Sequence, residues 1–242
     1  MIEDLIETPL FRKYAPPVAG LLFVALFVSL AMWQLERASE KRALLDLFES
    51  DAPYMQTGEF GSLGAFDRIQ VDGAFEGNRQ VLIDNIVLDS RPGYYVITPF
   101  RIAVDNRLLL VNRGWVPKNT ITGDAPPITV GQNQRTVRGL VGNLPRVGIR
   151  PGEAFEGSKE WPRVAVYPNL DEFSTELEEA VSPIVVLMSP GEDDGFARQW
   201  RPNVSGPMMH YAYAFQWFAM AATVLALLLW HLGKRRRIGS AT

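Results

Sequence analysis

Tyr211-Ala-Tyr-Ala-Phe-Gln-Trp-Phe-Ala-Met-Ala-Ala-Thr-Val-Leu-Ala-Leu-Leu-Leu-Trp-His-Leu232 is twenty-two residues without an acid, a Lys or an Arg; outside its tyrosines the one titratable side chain is His231. Upstream, Pro17-Val-Ala-Gly-Leu-Leu-Phe-Val-Ala-Leu-Phe-Val-Ser-Leu-Ala-Met-Trp33 is seventeen residues without charge. Neither stretch alternates or carries a polar face, so each is apolar all round, as a helix surrounded by lipid is. At ~1.5 Å rise per residue they reach about 33 Å and 25 Å, against a hydrocarbon core of roughly 30 Å. The pattern predicts two transmembrane helices, residues 17–33 and 210–232. Trp33 closes the first, and Tyr211, Tyr213 and Trp217 open the second, where an interfacial aromatic belt belongs.

Arg12-Lys13, the first apolar run and Ser29-Leu30-Ala31 also resemble a signal peptide with a small-x-small cleavage site. Three acids (Glu3, Asp4 and Glu7) precede Arg12, and cleavage there would discard the interfacial Trp33. The expectation is therefore an uncleaved anchor. Orientation follows mainly from Lys234-Arg235-Arg236-Arg237, a basic cluster directly after the second span that should stay cytoplasmic. Two spans then place residues 1–16 and the basic tail 233–242 in the cytoplasm and export residues 34–209. In a bacterium this is a multi-pass protein of the cell inner membrane with a periplasmic domain.

Between the spans, Gln34 to Met209 holds 18 Lys and Arg against 24 Asp and Glu, a net charge of −6, which leaves no basic stripe for nucleic acid. The 242-residue chain as a whole is 47% hydrophobic and 21% charged, which excludes collagen-like and disordered classes. The absence of cysteine removes disulfide scaffolds, zinc ribbons and thiol nucleophiles, and two histidines, His210 and His231, are too few for most multi-histidine metal sites.

The exported segment reads mostly as sheet. Glu36 to Ser50 continues the first helix as an amphipathic extension, with Leu44, Leu45, Leu47 and Phe48 among charges, and a Gly-rich loop, Gly58 to Gly64, follows. Short apolar or alternating runs then predict strands at Arg68–Phe75, Gln80–Leu88, Tyr94–Val104, Arg107–Val116, Arg135–Val141, Arg163–Tyr167 and Pro183–Met188. Turn signals are Asp72-Gly73, Gly77-Asn78, Pro92-Gly93, Asp105-Asn106, Pro151-Gly152 and Pro190-Gly191, and Asp105-Asn106 is the clearest hairpin. Asn169 to Glu179 reads as one short helix capped by Asn169 with Glu172 three residues on. The expected class is an α+β membrane protein, two transmembrane helices flanking one mostly antiparallel β-rich domain.

Catalytic parts are few. Gly58, Gly61 and Gly64 match neither a dinucleotide fingerprint nor a P-loop, Glu192-Asp193-Asp194 lacks the spacing of a calcium loop, and no histidine lies between the spans to act as base for a serine. No constellation nominates an enzyme; an exported hydrolase using carboxylates is the remaining catalytic alternative.

Four blocks are more specific: Trp33-Gln34-Leu35-Glu36-Arg37 followed by Lys41; Arg91-Pro92-Gly93-Tyr94-Tyr95-Val96-Ile97-Thr98-Pro99; Leu110-Val111-Asn112-Arg113-Gly114-Trp115-Val116-Pro117; and Arg201-Pro202-Asn203 with His210-x-x-Tyr213-Ala214-x-Gln216-Trp217-Phe218. In this order, between two spans, they resemble the Surfeit locus protein one family of cytochrome c oxidase assembly factors, from about Trp33 into the second helix. Ala31 stands where the family usually has Gly, and Ser205-Gly206-Pro207-Met208-Met209 replaces its Asn-rich approach to the histidine.

The resemblance implies a chaperone that receives haem a and assists its insertion into the catalytic subunit of a haem-copper oxidase, with the haem a synthesis machinery and the lipid bilayer as further partners. His210 is the candidate metal ligand, because neutral imidazole is an axial haem ligand. Tyr213, Ala214 and Trp217 fall on its helix face, the alanine leaving room for a flat ring. Arg37 and Arg201 match haem propionates. The plainer reading makes Tyr213 and Trp217 interfacial anchors, His210 a polar residue at a helix start, and the arginines headgroup contacts or caps. A scaffold that holds the oxidase subunit without haem is the alternative function. Asn112-Arg113-Gly114-Trp115 reads as a fold element: Gly114 permits unusual backbone or close approach, Trp115 fills core, and Arg113 is buried and paired or faces the partner.

Overall fold

The computed structural model describes residues 9–57, 59–119, 127–150, 152–155, 157, 159–200, 202 and 206–239. In chain order the elements are α1 (Pro9–Glu49), β1 (Met55–Gln56), β2 (Arg68–Phe75), β3 (Val81–Leu88), β4 (Arg91–Ile102), β5 (Leu108–Pro117), β6 (Arg135–Gly142), β7 (Arg163–Ala165), α2 (Leu170–Glu176), β8 (Val181–Met188) and α3 (Pro207–Gly239). They form two units, a helical one from residues 1–46 and 203–242 and a β unit, residues 47–202.

In the helical unit, α1 begins ahead of the apolar run and continues through it into the amphipathic extension without a break. α1 and α3 are both long and apolar enough to cross a membrane, and only 6% and 17% of their most apolar windows are buried. The core helix of a soluble protein would be mostly buried; here the apolar side chains point outward, as lipid-covered side chains do. Among the buried and half-buried positions of α1, Gly20, Val24, Phe27, Ala31, Gln34 and Ala38 follow one another at spacings of four and three. Among those of α3, Pro207, His210, Ala214, Trp217, Ala221, Val224 and Leu228 do the same, the spacing of the seam of a left-handed helix pair. A Cβ on Gly20 would lie 3.3 Å from Leu228, and the Phe27 and Trp217 rings stack at 5.7 Å. Contacts that climb one helix as they descend the other define an antiparallel pair. Small side chains at Gly20, Ala31, Ala38, Ala214 and Ala221 let the backbones approach closely, the main source of helix affinity in lipid.

The β unit is one eight-stranded sheet in the order β1-β2-β6-β8-β5-β4-β3-β7, with a further pairing of β2 to β4. That pairing closes β2, β6, β8, β5 and β4 into a five-stranded ring. The ring strands fill the interior with Ile69, Val71, Phe75, Phe100, Ile102, Leu109, Val111, Val137, Val141, Val186 and Met188. Each such side chain is worth about 1.5–3 kcal/mol relative to exposure. A second core (Val81, Ile83, Ile97, Leu108, Leu110 and Val185) lies under Phe173 and Leu177 of the α2 segment. Asn169 caps α2, its side chain accepting from Glu172 N while Glu172 accepts from Asn169 N, the predicted capping box.

All seven predicted strands are present, and the sheet is mostly antiparallel; three of its pairings (β1–β2, β3–β7 and β5–β8) run parallel. Two expected turns are not turns. Asp72-Gly73 lies inside β2, where Gly73 pairs with both Arg135 of β6 and Ile102 of β4. This is the corner at which β2 passes from one neighbour to the other, and a Cβ on Gly73 would strike the Arg101 carbonyl, so glycine serves close approach rather than reversal. Pro92-Gly93 lies inside β4 opposite Val87 and Ile86; the chain reverses at Asp89-Ser90, both at positive φ (48° and 62°), as a tight hairpin requires. The Asp105-Asn106 hairpin joins β4 to β5, with Asn106 at φ 59°. Gly58 and Pro151 lie outside the described residues.

Candidate functional site

His210 sits in the first turn of α3, half-buried on the seam facing α1. Its Nδ1 lies 2.7 Å from Oε1 of Gln34, half-buried on the seam of α1. The outermost blocks of the chain, Trp33-Gln34 and the His210 block, are thus joined by one hydrogen bond across 176 residues. An amide oxygen only accepts, so the contact is a hydrogen bond when the ring carries its proton on Nδ1. Nε2 of His210 makes no hydrogen bond among the described residues and is not fully buried, whereas Nε2 of His231 is buried without a partner.

The other expected site residues divide by position. Trp217 faces α1 and stacks on Phe27, with 27° between the ring planes. Ala214 is 2% exposed on the same seam. Tyr213 is turned away, 49% exposed and without a hydrogen bond among the described residues. Arg37, one helical turn beyond Gln34, is exposed; its Nη1 donates to Glu40 Oε2 at 2.8 Å, and the guanidinium lies 5.8 Å from the Trp33 ring centre. Arg201 lies outside the described residues. His210 and Trp217 therefore share the seam, while Tyr213 and Arg37 are exposed off it. The role of Gln34 was not assigned from sequence. The available signal was an uncharged amide two heptads beyond Gly20, on the register that Phe27 also occupies.

In the β unit the two central blocks build structure. Arg113 is 1% exposed and donates to Gln80 Oε1 (2.7 Å), Ile128 O (3.0 Å), Thr129 O (3.2 Å) and Asp194 O (2.6 Å). Burial pulls this guanidinium down to about 10, so it stays charged at neutral pH and every acceptor keeps its donor. Gly114 has φ 118°, and its missing side chain admits the Phe196-Ala197 backbone, which bonds Trp115 in both directions at 2.8 and 3.1 Å. Trp115 is 4% exposed and donates from Nε1 to Ile86 O at 3.1 Å. Both readings offered for Gly114 hold, and Arg113 is the buried member of its alternatives. Among the described residues no three His, Cys, Asp or Glu side chains stand together as a metal cluster.

A closed β domain carried between two lipid-facing helices, with one histidine–amide pair between them, defines a class of two-span membrane protein. The chain matches the SURF1 family over residues 21–222. It is similar to a SURF1-like protein of Monosiga brevicollis, 27% identical over 223 residues that cover 82% of this chain and 80% of that one. A SURF1-like protein of Rickettsia bellii is 24% identical over 219 residues, 86% of each chain. A SURF1-like protein of Drosophila melanogaster is 39% identical over a shorter 66 residues, 27% of this chain and 19% of that one. The chain belongs to the SURF1 family, a family of membrane assembly factors for cytochrome oxidase.

Proposed function

We propose that this protein serves assembly of a haem-copper oxidase by receiving haem a at His210 and presenting it to the catalytic subunit. The observation that carries this reading is the His210–Gln34 pair, which engages Nδ1 and leaves Nε2 unbonded among the described residues and not fully buried. The residues suit such a group: an imidazole with one nitrogen engaged and the other unbonded among the described residues, and an exposed Tyr213 one turn along. His210 would hold the iron, and Tyr213 would flank the macrocycle. Trp217 would keep α3 seated on α1 behind the ligand, and Arg37 and Arg201 would meet the propionates. When bound, haem supplies the cargo rather than a reaction, and this chain contributes ligation, orientation and release.

The basic run Lys234–Arg237 supports a cytoplasmic end for α3, which puts both termini in the cytoplasm, His210 at the outer face and the β domain in the periplasm of a bacterial inner membrane. The partners on this reading are the oxidase catalytic subunit and the enzymes that make haem a. A deletion strain tests it. Its membrane difference spectrum should lose haem a absorbance while the apo-subunits are still made; normal haem a content and oxidase activity, without a paralogue, would sink the assembly role. Protein purified from cells able to make haem a should carry a Soret band. A colourless protein that still retains the oxidase subunit would point to a scaffold instead.

A further inference from the structure

Histidine has two neutral tautomers, and an iron ligand requires a specified one. The nitrogen facing the metal must carry the lone pair, and the other must carry the proton. A histidine side chain left to itself favours the proton on Nε2, the nitrogen that reaches farthest from the backbone and that is open at His210. A group that accepts a hydrogen bond from Nδ1 reverses this preference, and ligating histidines nearly always have one.

We infer that Gln34 is a positioning residue that holds His210 in the Nδ1–H tautomer and so makes Nε2 the metal-facing atom. The inference rests on the haem reading of His210 and adds to it a named residue on the other helix. The Nδ1–Oε1 distance of 2.7 Å is at the short end for a nitrogen donor on oxygen. Both partners are held from behind: Ala31 and Ala38, a turn to either side of Gln34, are 0% exposed, and Ala214, a turn beyond His210, is 2% exposed. Small residues at these places bring the two backbones close enough for a short side-chain bridge and leave little space for another rotamer. His231 on the same helix has no hydrogen-bond partner among the described residues and its Nε2 is closed off, so the arrangement is particular to His210.

The partner's chemistry suits a carrier. A carboxylate on Nδ1 would push the ring toward imidazolate character and bind ferric iron more firmly. A neutral amide fixes the tautomer without adding charge in a lipid-facing helix pair, which favours a ligand that lets go. A polar bridge serving helix association alone would account for the same contact. The two roles differ in what they do to the ring's proton.

The test uses the full-length protein in detergent, labelled with nitrogen-15 at histidine. In the haem-free protein, long-range proton–nitrogen correlations should place the proton of His210 on Nδ1, and Gln34→Met should move it largely to Nε2. Titration with ferric protoporphyrin should then show about 10- to 100-fold weaker binding to Gln34→Met. Gln34→Glu should keep Nδ1–H, bind well and lower the midpoint potential of the bound porphyrin; His231→Ala should change none of these. A wild-type ring protonated on Nε2, or Gln34→Met with unchanged tautomer and affinity, overturns the inference and leaves the haem reading standing. Wild-type protein that binds no porphyrin defeats the haem reading itself, and the positioning role falls with it.

Discussion

Arg113 shows how a motif that resembles a recognition site can be an architectural clamp. Its guanidinium gathers Gln80, the carbonyls of residues 128 and 129 and the Asp194 carbonyl, groups from three separate segments, and no carboxylate among the described residues bonds it directly. Arg113→Met would leave those acceptors buried without donors and should cost about 3–5 kcal/mol, read as a lower unfolding temperature of the detergent-solubilised protein. Arg113→Lys keeps the charge but not the planar fork and should fall between the two. A methionine variant as stable as wild type would show that the clamp adds nothing. Gly73 makes a second residue-scale case: Gly73→Ala places a methyl against the Arg101 carbonyl at the barrel corner and should destabilise by about 1–3 kcal/mol or prevent folding, whereas Gly61→Ala, with open space around it, should be neutral. Gly114 and Trp115 were legible as fold residues because their type alone restricts what they can do. Gln80 and Gln34 were not, because each matters through a partner 33 or 176 residues away.

Charge ties α2 to the loop before β7 and ties the turn after it to β4. Arg150 bonds Glu172 and holds its carboxyl below the ordinary 4.5, and Arg101 does the same for Glu179. Carboxyls whose folded values lie below the unfolded value add stability that is complete above pH 4.5 and is lost as pH falls through those lower values. Stability should therefore decline from about pH 4.5 downward. A Glu172→Gln/Glu179→Gln variant should be less stable at pH 7 and show a flatter decline in acid; an unchanged acid limb would contradict the assignment. At this scale the strands were legible because alternating apolar runs end at turn residues. The misread places were Asp72-Gly73 and Pro92-Gly93, since the same dipeptides serve a reversal or a close approach and only the register of distant strands decides. Closure of the ring through β2 and β4, and the three parallel pairings, depend on that register too.

For the whole molecule, two apolar runs pointed to the spans, seven short runs to a β-rich domain between them, and four blocks in order to the family that the match over residues 21–222 shows. What they left open was how the blocks meet: the first and last converge on one helix pair, while the middle two brace the barrel. Haem reception at His210, the role proposed for the helix pair, is read in a visible spectrum. His210→Ala, His231→Ala and wild-type protein are purified from cells that make haem a, with matched accumulation in the membrane as the check on folding. The two histidines stand twenty-one residues apart, about 31 Å at ~1.5 Å per residue, so one haem within one chain cannot use both. His210→Ala should lose the Soret band and His231→Ala should keep it. A His210→Ala protein with the wild-type Soret position and intensity would contradict the assignment and return His210 to an interfacial polar residue.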